Sequence, residues 1–368
     1  MKAVAVFPRH KKIELIDHPQ PDALSDRQVK IRILDIGVCG TDREIAMYEY
    51  GVPPEGYDYL ILGHESLGQV AEIGRAVTNV KVGDLVVPNV RRPCAAHCPA
   101  CAAGRQDFCY TGRYIERGIL GAHGFLTEYI VEAASNLNLV PAGLRDVAVL
   151  AEPLTVTEKA FDQIAAIQTR LPWLQKANIR QPRALVLGAG PVGLLAAMKF
   201  LSEGYRVWIY SRGSEKDKPP IAAAIGAHFV DAEQAPPADL PHVLPGEIDI
   251  VYEAMGAADV AFAILAELGR NGIFVFTGIP RRSHPVAIDT SALLYNLVLK
   301  NQVILGTVNA APVHFQTAIA DLTRFESKFP GVLKKLISNR YPIEQFAEPL
   351  SHNAGIKNVI AVVAQVLG

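Results

Sequence analysis

The segment Gly188-Ala-Gly190-Pro191-Val192-Gly193 restricts the possible folds of this chain more than any other stretch. It follows the short apolar run Ala184-Leu-Val-Leu and precedes a helix-forming stretch from Leu194 to Glu203. In such a strand–turn–helix the first glycine makes the tight turn and the second lets a pyrophosphate approach the backbone. The third lets helix and strand pack closely. The helix N-terminus then turns its partial positive charge toward the phosphates. Standing alone, the same six residues would be a plain turn. Here three more strand-like runs follow, Val207-Trp-Ile-Tyr, Ile248-Asp-Ile-Val-Tyr and Ile273-Phe-Val-Phe, with helix-capable stretches between them. The alternation predicts an α/β domain, a doubly wound parallel sheet that binds a dinucleotide.

The end of the second strand bears on which dinucleotide. An NAD site would place Asp or Glu there, about 20 residues after the glycines, to hold the ribose 2′-hydroxyl. Ser211 and Arg212 stand there instead. A guanidinium suits a 2′-phosphate, and the other reading of Arg212 is a solvated surface charge. NADP is expected, and NAD stays open.

Residues 1 to about 150 have a different character, with short strands bounded by glycine and proline: Val29-Lys-Ile-Arg-Ile-Leu, Gly68-Gln-Val-Ala-Glu-Ile-Gly and Asp84-Leu-Val-Val-Pro. A helix is expected over Thr157–Thr169 and another over Val313–Arg324. The apolar run Val359-Ile-Ala-Val-Val has the form of a strand that joins a sheet already made. A chain of 368 residues exceeds what one hydrophobic core ordinarily holds, so two domains are expected. With 36 Lys plus Arg against 37 Asp plus Glu, there is no standing positive field for nucleic acid or an anionic membrane. The longest charge-free apolar run, Ala184 to Met198, is shorter than the roughly 20 residues that span a bilayer. Charges at Arg9, His10, Lys11 and Lys12 interrupt any signal-peptide core. A cytoplasmic protein acting on a small molecule is expected.

Four of the five cysteines, Cys94, Cys98, Cys101 and Cys109, crowd into one short loop. Outside a secreted disulfide scaffold, such a group reads as ligands. Four thiolates close a tetrahedron around zinc and leave no open position, which makes the site structural. A second set is dispersed: Cys39-Gly-Thr41-Asp42, Gly63-His64-Glu65 and Glu152-Pro153. Thiol, imidazole and carboxylate are the ligand types of a catalytic zinc. Taken singly, Cys39 also reads as core filler, His64 as a satisfied core histidine and Glu152 as a helix-flanking charge. His10, His18, His97, His123, His228, His242, His284 and His352 carry no assigned chemistry.

Together these residues resemble the zinc-containing medium-chain dehydrogenase/reductase superfamily, whose zinc signature is matched by Gly63-His-Glu-x2-Gly68-x5-Gly74-x2-Val77. Within it the chain is most similar to the archaeal-type glucose (aldose) dehydrogenases. The similarity lies in Cys39-Gly-Thr-Asp-Arg-Glu, Val90-Arg-Arg-Pro, Ile115-Glu-Arg-Gly-Ile, Gly121-Ala-His-Gly-Phe, Glu152-Pro-Leu-Thr-Val-Thr-Glu-Lys and Gly306-Thr-Val-Asn-x4-His-Phe. The resemblance implies a GroES-like β-rich catalytic domain from residues 1–155, a Rossmann domain over 156–308, and a C-terminal part, 309–368, that returns to the catalytic domain. It implies catalytic zinc on Cys39, His64 and Glu152, with Glu65 bound directly or through water, and Asp42 orienting His64. Thr41 is then the hydroxyl that relays the substrate proton, and Glu116, Glu152 and Asn309 hold sugar hydroxyls. Thr277, Gly278 and Ile279, with Thr307, Val308 and Asn309, line the nicotinamide side.

The sequence departs from that pattern in two ways. Its cysteine loop has one extra residue between the first two cysteines, and apolar Val90 and Val156 stand where some members carry sugar-contacting Asn or Asp. Fewer polar contacts predict breadth across aldoses. The expected reaction oxidises the C1 hydroxyl of an aldose, D-glucose or also D-galactose or D-xylose, to the lactone, with hydride transfer to NADP+ or NAD+. A homodimer or homotetramer is expected. The alternatives are a zinc alcohol or polyol dehydrogenase of the same superfamily, a zinc-free quinone reductase that should lack the Cys39, His64 and Glu152 set, and a non-catalytic NADPH sensor.

Overall fold

The computed structural model describes residues 1–21, 24–175, 180–214, 216–244, 246–280, 285–352 and 354–362, and His284 lies outside them. The chain divides into two units: Met1–Thr155 with Asn309–Thr323 and Leu336–Gly368, and Val156–Val308 with Arg324–Lys335. Among the described residues, no helix is long and apolar enough to cross a membrane.

The first unit is built on a seven-stranded sheet. In order across it run Leu137–Val140, Leu85–Pro88, Glu65–Ile73, Gln28–Val38, Lys357–Ala361 and Ile337–Pro342, and Tyr129–Ala133 also pairs with Gln28–Val38. The C-terminal strand therefore lies inside the sheet begun by the N-terminal residues, antiparallel to Gln28–Val38 and parallel to Ile337–Pro342. Val29, Ile31, Ile33 and Ile36 are buried on the longest strand, with Leu67 and Val70 on its neighbour. Two small sheets complete the unit. One joins Lys2–Phe7 to Lys12–Asp17 and Leu60–Ile61, and the other joins Arg91–Arg92, Ile115–Arg117 and Gly121–Ala122.

The second unit holds six parallel strands. Numbered along the chain as Arg183–Leu187, Arg206–Ser211, His228–Asp231, Ile248–Glu253, Leu268–Phe276 and Val303–Gly306, they lie in the order 3-2-1-4-5-6. The order reverses beside the first strand, where doubly wound sheets bind their ligands. Leu185, Leu187, Trp208, Tyr210, Val251 and Phe274 make one buried cluster.

Both helices start earlier than in the sequence reading. The helix expected over Thr157–Thr169 runs Ala151–Gln168, because Pro153 sits in its first turn, where the missing N–H is no loss. The helix expected over Val313–Arg324 runs Pro312–Lys328. Arg324–Lys335 packs with the second unit, whereas the sequence reading puts all of 309–368 with the β-rich domain. The cause is polar: Arg324 reaches Glu203 at 2.7 Å and donates to the Ser202 carbonyl, and Lys328 Nζ donates to the Leu201 carbonyl at 2.7 Å.

Candidate active site

Three neighbouring strands bring the dispersed polar residues to one place. Gly37 lies opposite Glu65 on one side of the central strand, and Val38 lies opposite Asn358 on the other. Cys39 comes just beyond that strand, His64 just before Glu65, and Lys357 just before Asn358. The ligand atoms of Cys39, His64 and Glu65 all fall within 4.8 Å of one another. A side chain at Gly37 would put its Cβ 2.2 Å from Glu65 Oε2, so glycine is required for the carboxylate to sit there.

Cys39 is the N-cap of the short helix Gly40–Ala46. Its backbone N–H donates to Asp42 Oδ2 at 2.9 Å, as in half of a capping box. The other oxygen, Oδ1, faces His64 Nδ1 at 3.2 Å, an ion-pair distance without the alignment of a hydrogen bond. Burial disfavours charge on Asp42, but the His64 imidazole, the Cys39 N–H and Lys357 together outweigh it and hold the carboxyl below its usual range. Burial also opposes charge on His64, and Asp42 with the Cys39 thiol overcomes it, raising the imidazole well above its ordinary value. Thr41 stands half-buried in the first turn of the same helix.

Buried Lys357 donates to Glu65 Oε2 at 2.5 Å and to the Val38 carbonyl at 3.2 Å. Glu152 lies outside the tight trio but in the same electrostatic setting. Burial pushes its carboxyl up to about 7, His64 and Lys357 oppose the rise, and Glu65 and Asp42 add to it. A thiol, an imidazole and crowded buried carboxylates fit a Zn2+ ion with an open coordination position.

The four-cysteine loop gathers as its spacing predicts. All four sulfurs lie within 4.8 Å of one another, and Cys94, Cys98 and Cys101 are buried. The Cys98 N–H donates to Cys94 Sγ at 3.4 Å and, with the Thr111 hydroxyl, brings the Cys94 thiol down to about 6. The extra residue in the first spacer is absorbed at His97, which takes φ 44° while its N–H bonds the Cys94 carbonyl at 2.9 Å. Histidine is among the few residues enriched in that left-handed region. Four converging sulfurs in a closed loop fit a structural zinc.

In the second unit the glycine motif forms the turn before the helix Pro191–Ser202, with Gly190 as its N-cap, Pro191 in the first turn and Val192 next. Gly188 has φ 103°, and a Cβ on Gly193 would stand 2.0 Å from the Gly188 carbonyl. Ser211 is buried and Arg212 exposed at the end of the second strand, and Asp231 Oδ1 accepts from the Gly213 N–H at 2.8 Å. Thr277 Oγ1 donates to the Glu253 carbonyl at 2.7 Å, and the Gly278 N–H to Glu253 Oε2 at 3.1 Å. Ile279 is largely exposed. Thr307 Oγ1 accepts from Gln163 at 2.5 Å, and the Val308 carbonyl accepts from Lys159 at 2.9 Å.

Glu116 sits on the small sheet, buried and paired with Arg91 at 3.0 Å, and Asn309 takes φ 65°. Among the described residues, no hydrogen bond joins either to the Cys39 cluster. Sequence reasoning missed Lys357, Arg91 and Glu253. Lys357 has no local signal, since it meets Glu65 across 292 residues of chain. Glu253 had one, an acidic residue at the carboxyl end of a parallel strand, where such sheets place ligands.

Comparison with known proteins bears on all of these groups. A family model described as "Glucose dehydrogenase C-terminus" matches residues 145–363, and one described as "Alcohol dehydrogenase GroES-like domain" matches residues 25–142. The glucose 1-dehydrogenase of Methanocella arvoryzae is 39% identical, covering 100% of this chain and 99% of the relative. That of Thermoproteus tenax is 39% identical with 95% of each covered. A solved structure of Haloferax mediterranei glucose dehydrogenase in complex with NADP, Zn and gluconolactone superposes with a TM-score of 0.87, at 31% identity, with 99% of each chain covered.

Proposed function

The chain belongs to the glucose dehydrogenase family of zinc-containing medium-chain dehydrogenases/reductases, and from that premise we propose that it oxidises the C1 hydroxyl of an aldose to the lactone, passing the hydride to NADP+. The observation that carries this reading is the trio of half-buried Cys39 with buried His64 and Glu65, whose ligand atoms lie within 4.8 Å. A sensor or a quinone reductase has no need of such a trio. The Haloferax relative, solved with NADP, Zn and gluconolactone, supports the same cofactors and product class here.

When bound, zinc supplies a Lewis acid at the reacting oxygen and NADP+ a hydride acceptor. Cys39 and His64 would hold the metal with Glu152, and Glu65 would reach it directly or through water. Asp42 fixes the imidazole of His64 from behind, the role outer partners play for histidine ligands. The Thr41 hydroxyl takes the proton from the C1 hydroxyl and hands it toward solvent. Glu116, Glu152 and Asn309 bind the remaining sugar hydroxyls. Cys94, Cys98, Cys101 and Cys109 would hold a second, structural zinc. Exposed Arg212, in the place an acidic residue takes in NAD sites, supports NADP as the preferred cofactor.

We propose further that the chain forms a homodimer or homotetramer. Val303–Gly306 is one end strand of the six-stranded sheet, and Leu294, Tyr295, Val298 and Leu299 are exposed on the helix Thr290–Leu299.

Initial rates of NADPH appearance with D-glucose, D-galactose, D-xylose and a simple secondary alcohol, before and after chelation, test the reaction. Chelator-sensitive rates with the sugars are expected. Activity confined to the simple alcohol would discard the sugar contacts and keep the zinc chemistry, and NADPH binding without turnover on any of the four would point to the sensor.

A further inference from the structure

The charge on Glu116 has a partner that the sequence reading did not assign. Arg91–Arg92 and Ile115–Arg117 pair antiparallel, and Arg91 lies directly opposite Glu116 in the register. Directly opposed residues present their side chains to the same face of a sheet. Arg91 Nε donates to Glu116 Oε1 at 3.0 Å, and both side chains are about nineteen parts in twenty buried, with 6% and 5% of their surface exposed. The guanidinium plane is itself fixed: its carbon lies 3.5 Å from the centre of the Tyr114 ring. The backbone under it is tied down as well. Gln106 Nε2 donates to the Arg91 carbonyl at 3.4 Å and the Arg117 N–H to the Val90 carbonyl at 3.1 Å. Among the described residues, no hydrogen bond reaches Glu116 Oε2.

A charge-assisted bond from a guanidinium N–H to one oxygen of a carboxylate fixes how the group is turned. An ionised carboxylate is acceptor-only, so a free oxygen on it is a site for a hydroxyl donor. Resting on the assignment of Glu116 as a sugar contact, we propose that Arg91 is the positioning residue of the sugar site. It engages Oε1 and leaves Oε2 aimed to accept one hydroxyl of the aldose. Tyr114 serves the same end by clamping the guanidinium.

A double-mutant cycle on the sugar KM tests this. The variants Glu116→Gln, Arg91→Gln and their combination are assayed with D-glucose at saturating NADP+, and the KM for NADP+ is measured beside them. Glu116→Gln in the natural background is expected to raise the sugar KM about tenfold or more, the size of a lost hydrogen bond to a charged group. In the Arg91→Gln background the same change is expected to raise it less than about twofold, because the carboxylate it removes is no longer set for the hydroxyl. The KM for NADP+ should stay within about twofold throughout, since neither residue belongs to the dinucleotide unit. An equal cost of Glu116→Gln in both backgrounds would reduce Arg91 to a fold-holding residue and overturn the proposal. Should Arg91→Gln fail to fold, Arg91→Lys takes its place, keeping a charge while losing the planar guanidinium and its ring contact. Absence of aldose oxidation in the unaltered protein would remove the functional reading itself, and the proposal with it. Aldose oxidation with a Glu116→Gln variant of unchanged sugar KM would leave that reading standing and overturn the proposal alone.

Discussion

At the scale of single residues, two buried charges decide how the first unit tolerates change. Lys357 and Glu65 sit in contact with almost no exposed surface, at 3% and 2%. Removing one partner of such a pair strands the other charge away from water, which costs about 3–5 kcal/mol. Lys357→Met should therefore lower the unfolding free energy by about that amount, and Lys357→Met with Glu65→Gln should recover part of it. Chemical denaturation of both variants checks this; equal losses would mean that the pair is not what holds the site. His123 makes a different prediction. Its ring stacks on Tyr59, with centroids 5.1 Å apart, and Nδ1 accepts the Ile61 N–H at 3.2 Å. Burial, with His18 and Arg117 adding to it, pushes the imidazole from 6.5 down to about 4. The folded state thus resists a proton that the unfolded chain accepts. The stability from neutral His123 is whole above pH 6.5 and is lost as the pH falls from there toward 4. The slope it can contribute is at most about 1.4 kcal/mol per pH unit, that of one proton. Unfolding of the natural chain and of His123→Gln across this range checks it, the glutamine keeping a carboxamide oxygen for the Ile61 N–H. A slope unchanged in the variant would exonerate the histidine.

At the scale of elements, the proposed structural zinc would be what orders the cysteine loop. Between Cys94 and Cys109 there are only the four-residue helix Pro99–Ala102 and the single turn Gln106–Phe108. Its buried apolar cluster consists of the cysteines themselves. Without a metal such a loop has little else to order it. Cys101→Ser should lower bound zinc from two per chain to one and lower the melting temperature, while the remaining zinc stays with the Cys39 cluster. Metal analysis of the purified variant checks it, and two zinc retained would move the second site elsewhere. The gathering of these four cysteines was legible in the sequence because all four are local. The same holds for the glycine turn, whose strand and helix flank it directly. The Cys39 cluster was legible only as separate pieces. Each piece alone had a bland reading, and what unites them is strand register: Glu65 opposite Gly37, and Asn358 opposite Val38. Register between segments that are not adjacent in the chain, 25 residues apart for Arg91 and Glu116 and 292 for Lys357 and Glu65, leaves no periodic trace. Lys357 and Arg91 were unreadable as partners for that reason. The strands His228–Asp231 and Val303–Gly306 escaped for another: four residues carry too little alternation to stand out, and both lie at the ends of the parallel sheet.

At the scale of the whole molecule, composition narrowed the partners and the sheet edge now points to one. A net charge of −1 offers no standing field for a polyanion. Among the described residues, the edge strand Val303–Gly306 pairs on one side only, with Leu268–Phe276, and its Ile304 is partly exposed. Unpaired edges invite another strand unless charge, proline or a covering element blunts them, and Val-Ile-Leu-Gly has none of the first two. The helix just before it, Thr290–Leu299, has no buried residue at all, and leaves Leu294, Tyr295, Val298 and Leu299 open. An isolated helix with that composition would not be stable in water by propensity alone; it needs a surface on its apolar side. In the proposed homo-oligomer a second copy would supply both needs at once, because two like edges would pair across a two-fold axis and bring the two helices with them. Placing a lysine at the strand and an acid on the helix, Ile304→Lys with Val298→Asp, should break this contact by burying unpaired charge. Light scattering during gel filtration should then show the mass falling to a smaller assembly or to a single chain, with the zinc content unchanged. A mass identical to that of the natural protein would mean that the copies meet elsewhere and that this edge is covered by some other means.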